Sequence, residues 1–118
     1  MKSLKNEKDS LRGHRYRIMR MIDSRKAEQF ARDYLKNWDV VGGKRLRKRV
    51  TFSDYNHAVR FMLAIEDKMT EMDHFVDVVL FFDEMLLSLH THDLDALTKK
   101  DFKLAIYLDR KLADMDVE

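Results

Sequence analysis

Between Arg45 and Phe52 the chain alternates with a period of two: Leu46, Val50 and Phe52 fall on one side, and Arg45, Arg47, Arg49 and Thr51 on the other. A segment divided in this way is a half-buried strand, so the rest of the chain must provide a sheet with one covered face. The residues just before it supply the partner. Trp38 to Val41 is a short apolar run, and Gly42-Gly43 follows it. Paired glycines accept the positive φ angles of a tight two-residue turn, which predicts a hairpin from Trp38 to Phe52.

Helical spacing flanks this hairpin. Ahead of it, Ala27, Phe30, Ala31, Tyr34 and Trp38 recur at steps of three and four, with Ser24 placed to cap the helix. Behind it, Ser53 is the expected cap of a second helix striped by Tyr55, Ala58, Val59, Met62, Ile65, Met69 and Met72. The methionines of that stripe are core filling rather than a ligand box. Val76 to Phe82 then reads as a strand apolar on both faces, hence covered on both. Asp83-Glu84 is the expected turn into a last strand, Met85 to Thr91, where Met85, Leu87 and Leu89 alternate with Leu86, Ser88 and His90. Thr98 and Asp101 have the spacing of a capping box and open a helix carrying Leu104, Ala105, Leu108, Leu112 and Met115.

The element order is α-β-β-α-β-β-α. Two hairpins joined as one four-stranded antiparallel sheet, with three helices packed on one face, make an α+β sandwich. The 118 residues suffice for one such domain, placed at 23–118, with residues 1–22 as a basic N-terminal extension. The extension clusters Arg12, Arg15, Arg17 and Arg20, and its weak stripe of Leu4, Leu11, Ile18 and Ile22 suits either a helix or a mobile arm.

Composition narrows the function. The chain has no cysteine, which excludes disulfides and thiolate zinc sites. No apolar run is long enough to span a bilayer and no signal-peptide pattern is present, so the expectation is a soluble, intracellular protein without a membrane partner. The net charge of +2 hides a polarity, because residues 1–50 hold 16 Lys or Arg against 6 Asp or Glu, and residues 51–118 hold 7 against 15. A split of this kind favours an anionic partner for the first half, nucleic acid included, or packing of one subunit on another; the plainer reading is two solvated faces. Arg45, Arg47 and Arg49 make the point locally. Three guanidiniums on one strand face can grip phosphates or an acidic protein surface, and the plainer reading is an edge strand guarded by charge. No glycine-rich phosphate loop, helix-turn-helix or zinc-finger spacing accompanies them.

From Trp38 to Met115 the chain resembles the pterin-4a-carbinolamine dehydratases. The resemblance rests on Trp38, Phe52, Asp54-Tyr55, Ala58, Phe61, His74, Thr91-His92-Asp93, Leu97-Thr98, Asp101 and Leu104-Ala105, with the interval from His74 to His92 matching the family's first and last active-site histidines. It implies removal of water from a 4a-hydroxytetrahydropterin, with His74 and His92 catalytic, Phe75, Phe82 and Asp93 binding substrate, and Arg45, Arg47 and Arg49 left for an anion or partner. It also implies no metal and no cofactor, the pterin being substrate, and a homodimer, a homotetramer or a subunit of a larger complex. A second subunit is the simplest cover for the doubly apolar strand.

The chain departs from the family pattern at one place. His74-Phe75-Val76 stands where the family has a second histidine (or an asparagine) and then usually proline, and Thr70 stands where it has an acidic or otherwise polar residue. Dehydration needs a proton delivered to the departing hydroxyl and another accepted from the ring, and phenylalanine does neither. The expectation is therefore weak or lost activity, with a non-catalytic binding or assembly module as the alternative. Taken without the resemblance, His74 is a helix C-terminal residue and His92 a turn residue. His90 and His92 share a strand face, but with no cysteine and no third well-spaced ligand a metal is not expected. His14 and His57 read as surface residues.

Overall fold

The computed structural model describes residues 21–117. His14 and nearly all of the expected basic extension lie outside them. Its last residue, Ile22, already belongs to the fold, donating its backbone N–H to the Leu97 carbonyl at 2.7 Å.

Three helices and four strands follow in the expected order: α1 (Ser24–Tyr34), β1 (Asp39–Val41), β2 (Arg45–Thr51), α2 (Tyr55–Met72), β3 (Asp77–Phe81), β4 (Glu84–Leu89) and α3 (Lys99–Asp114). The strands form one antiparallel sheet in the order β1-β2-β4-β3. Leu46, Val50, Met85, Leu87 and Leu89 are buried on one side of it, against Ala27 of α1, Phe61 and Ile65 of α2, and Phe102, Leu104 and Leu108 of α3. The other side carries Arg47, Arg49, Val79 and Phe81, all exposed. The alternation of β2 and β4 thus appears directly as the covered and open faces of the sheet.

Several local expectations are corrected. The caps of α1 and α2 are Asp23 and Asp54 rather than Ser24 and Ser53; Asp23 accepts the Lys26 N–H at 2.9 Å and Asp54 the His57 N–H at 2.7 Å. Each site offers adjacent serine and aspartate oxygens, and the charged carboxylate is the stronger acceptor at a helix N-terminus. Helix α1 stops at Tyr34, so Trp38 is not part of its stripe but is buried just ahead of β1. Gly42 and Gly43 take φ of +60° and +69° as expected, yet Val41 pairs with Arg45, making the loop three residues long. The second turn is Phe82-Asp83, with Glu84 already in β4 opposite Phe81.

Three points concern exposure and position. Strand β2 lies inside the sheet between β1 and β4, so its arginines do not guard an edge. The edges are β1 and β3, and within the chain β3 is covered on one face only, with Val79 51% and Phe81 55% exposed. Its second apolar face is bare within the chain, the face for which a second subunit is the expected cover. His57 is no plain surface residue either. Its Nε2 lies 2.9 Å from the Met115 carbonyl and its Nδ1 2.9 Å from the Ser53 hydroxyl, tying the start of α2 to the end of α3.

Lys48 sits on the covered face of β2, among the apolar residues. Its ammonium reaches Asp109 of α3 at 2.7 Å, with the lysine side chain 1% exposed. The same carboxylate accepts the Trp38 indole N–H at 2.8 Å and the Lys36 backbone N–H at 2.9 Å. A buried ammonium requires such a partner, and Asp109 in turn fixes Trp38 and the entry to β1.

Candidate active site

Helix α2 ends at Met72, and Asp73 closes it in the left-handed conformation at φ +51°. That reversal turns the chain toward β3 and lets the His74 N–H return to the Met69 carbonyl at 3.1 Å. His74 is thereby held inward, 7% exposed, and its Nε2 lies 2.6 Å from Oδ1 of Asp101. Asp101 is completely buried in the first turn of α3. Its other oxygen accepts the Thr98 N–H at 2.9 Å and the Thr91 hydroxyl at 2.8 Å, and Thr91 also bonds the Thr98 hydroxyl at 2.8 Å.

The expected capping aspartate therefore has a second use. One oxygen caps the start of α3, and the other holds the imidazole of His74 through Nε2, which leaves Nδ1 as the second ring nitrogen. An imidazole oriented by a buried carboxylate is a suitable proton donor or acceptor. Nothing in the spacing announced this pair, because the capping box already accounted for Asp101.

Thr91 links this pair to His90 and His92. It faces the helices and bonds Asp101, while its neighbours on either side face the opposite way. His92 is 63% exposed in the turn after β4, and its ring centre is 3.9 Å from that of His90. His74 and His92 are thus brought to the same end of the β3–β4 pair and joined through Thr91 and Asp101, although no hydrogen bond or ion pair connects their rings among the described residues. His90 is 6% exposed, and burial holds its pKa below the ordinary histidine value, helped by His92 and Arg45 and opposed by Asp77 and Asp101.

The other expected site residues separate. Phe75 follows His74 and is half exposed, its ring free to form part of a binding wall. Asp93 lies beside His92 in the same turn. Phe82 does not join them. It occupies the hairpin turn at the far end of β3, with φ +53° and its ring stacked on Tyr55 at 6.4 Å. Of the three arginines, Arg45 lies 4.0 Å from Asp95 and Arg49 pairs with Glu84, so two already face carboxylates, and Arg47 stands between them on the open face. The described helices include none long and apolar enough to cross a membrane.

Residues 21–111 match the family described as Pterin 4 alpha carbinolamine dehydratase. The chain belongs to this family. A Saccharolobus solfataricus protein, provisionally named a pterin-4-alpha-carbinolamine dehydratase, is 34% identical over 89 residues, covering 75% of this chain and 89% of its own. A Burkholderia orbicola protein of the same provisional name is 34% identical over 76 residues, or 64% and 74% of the two chains. Among solved structures, a Brucella melitensis protein described as a transcriptional coactivator/pterin dehydratase superposes with a TM-score of 0.72 at 20% identity, covering 78% of this chain and 98% of that one. A pterin dehydratase-like protein described as a RuBisCO assembly factor in the alpha-carboxysome superposes at 0.55 and 18% identity, covering 64% and 89%. At such identities these two likenesses speak for the shared fold.

Proposed function

We propose that this pterin-4a-carbinolamine dehydratase family member retains two of the acid–base groups for dehydrating a 4a-hydroxytetrahydropterin, His74 and His92, and turns over slowly. The observation that carries the reading is the buried His74–Asp101 hydrogen bond of 2.6 Å. One oxygen of this buried carboxylate caps α3, and the other is held on the histidine ring, an arrangement that keeps the imidazole oriented for proton transfer. In this reading His74 exchanges a proton through Nδ1, His92 serves as the second group from the solvent side, and Phe75 and Asp93 border the pterin. Phe82 has no part, being at the wrong end of the strand. Phe75 supplies a ring face but no proton, and loss of one such group commonly lowers a rate by about 10²–10⁴-fold.

The test is a dehydratase assay on the purified protein beside a pterin-binding titration. Slow turnover abolished by His74→Ala supports the reading. Turnover indifferent to both His74→Ala and His92→Ala overturns it.

A second reading, assembly without catalysis, draws on a different observation. The open face places Val79 and Phe81 of the edge strand β3 and the half-buried Leu86 of β4 next to Arg47 and Arg49, an apolar strip flanked by charge. Such a face suits a second copy of the chain or a larger complex. The assembly role described for one structural neighbour shows the fold in that use. Tight pterin binding with measurable turnover favours the first reading; a stable complex with no pterin affinity favours the second.

A further inference from the structure

The antiparallel register of β3 and β4 sets Asp77 opposite Ser88. Alternation carries the side of the sheet that holds Asp77 on to His90 and then His92, beyond the end of β4. The outcome is three ligand-type side chains at one corner. Asp77 Oδ2 lies 4.0 Å from His90 Nδ1 and 3.8 Å from His92 Nε2, and one donor atom from each residue falls within 4.8 Å of the other two. The third ligand that the histidine pair lacks along the sequence arrives from the neighbouring strand.

A second observation points the same way. His90 is 94% withdrawn from solvent, being 6% exposed, and its Nδ1 is the one buried side-chain nitrogen or oxygen without a hydrogen-bond partner among the described residues. An orphaned buried polar atom costs about 1–3 kcal/mol and calls for an explanation. Here the atom faces Asp77 and His92 without bonding either.

We propose that Asp77, His90 and His92 form a binding site for a first-row divalent cation, with zinc the best match to two imidazoles and one carboxylate. Bonds of about 2.0–2.2 Å would draw the donor atoms together from their present separations by roughly an ångström. The closure is inexpensive because His92 and Asp77 are 63% and 56% exposed and free to rotate onto the fixed His90. Arg45, a cation that acts on His90, lies 4.0 Å from Asp95, a carboxylate it shares with Lys44 at 3.5 Å, which partly screens its charge. Three protein ligands leave a fourth position open to solvent or to a small anionic or carbonyl ligand. The inference goes beyond the dehydratase reading and does not depend on it. Where both hold, bound metal occupies His92 Nε2 and withdraws that histidine from proton transfer.

The experiment titrates Co²⁺ into chelator-treated full-length protein, followed by visible absorption, with Zn²⁺ competition by calorimetry. One equivalent of Co²⁺ should give the intense visible bands of a four-coordinate ion, and Zn²⁺ should displace it. Asp77→Asn and His92→Gln, both exposed and harmless to folding, should each weaken binding at least about tenfold. His90→Gln, checked for folding by circular dichroism, should abolish the bands. His14→Gln is the control and should leave them unchanged. Absence of stoichiometric binding overturns the proposal, as does binding that Asp77→Asn and His92→Gln leave intact or that His14→Gln removes.

Discussion

His74 and Asp101 meet at 2.6 Å across a buried gap between the loop after α2 and the first turn of α3. The carboxylate serves the imidazole with one oxygen and the Thr98 N–H and Thr91 hydroxyl with the other. Asp101→Asn should therefore separate two effects. The amide can still accept at one position but must present a donor at the other, so stability should fall by about 1–3 kcal/mol. Any turnover should fall together with that of His74→Ala, to within a few-fold. Urea unfolding and steady-state rates check the two halves independently. Turnover unaffected by Asp101→Asn would show that the pair is structural only.

Phe75 is half exposed, so a polar replacement there disturbs little of the core. Phe75→His should raise dehydratase turnover by at least about tenfold, part of the 10²–10⁴ that one acid–base group commonly supplies. His92→Ala in that background should cancel the gain. Thermal unfolding of the two variants should match the native protein, which ensures that the rate alone has changed.

Lys48 and Asp109 are unequal members of one pair, at 1% and 14% side-chain exposure. Removing the acid strands a buried ammonium and two donors, and Asp109→Ala should cost about 3–5 kcal/mol. Removing the base leaves Asp109 with the Trp38 and Lys36 donors and partial access to water. Lys48→Met should thus cost much less, about 1 kcal/mol or under, since a packed apolar stem replaces a desolvated charge. Equal losses in the two variants would mean that the carboxylate is not the hub of this network.

His90 bears on acid stability. In the unfolded chain its imidazole takes up a proton near the ordinary value of 6.5, while in the folded protein burial first, then His92 and Arg45, hold the pKa lower. The unfolded state consequently binds more protons as pH falls through and below that value, so this residue's contribution is present above it and lost on acidification. Urea midpoints taken from about pH 7.5 down to about pH 5.5 should fall more steeply in the native protein than in His90→Asn. Identical slopes would assign the acid sensitivity to other groups.

The open face yields the last expectation. Phe81 and Val79 are more than half exposed on an edge strand, and a charge there should oppose any copy docking on it. Sedimentation at micromolar concentration should show an assembly of the native chain that Phe81→Glu dissociates while circular dichroism stays the same. A native monomer with no recovered partner would remove this face from consideration. Arg47→Gln with Arg49→Gln checks the anionic alternative, and binding to nucleic acid at low salt should weaken and lose salt dependence if phosphates are held there.

The element order, the antiparallel pairing within each hairpin, the covered face of β2 and the family were all legible in the order of the residues. Each depends on periodicity or on local turn and cap chemistry, which act over a few positions of the chain. His74 and His92 were singled out for a different reason, through their spacing in a known pattern. What the sequence could not reveal were the partners at long range. Lys48 falls by alternation among the apolar residues of β2, but its partner Asp109 appears only when α3 crosses the sheet, and Asp101 reads as a cap until the turn at Asp73 brings His74 to its free oxygen. Asp77 is an ordinary strand residue until the β3–β4 register places it beside His90 and His92. Strand β3 looks doubly covered because apolarity is a property of its residues, whereas coverage depends on what packs against them. Local geometry is written in neighbouring side chains; which distant groups share a buried site is decided only when the sheet closes its register and the helices settle on one face.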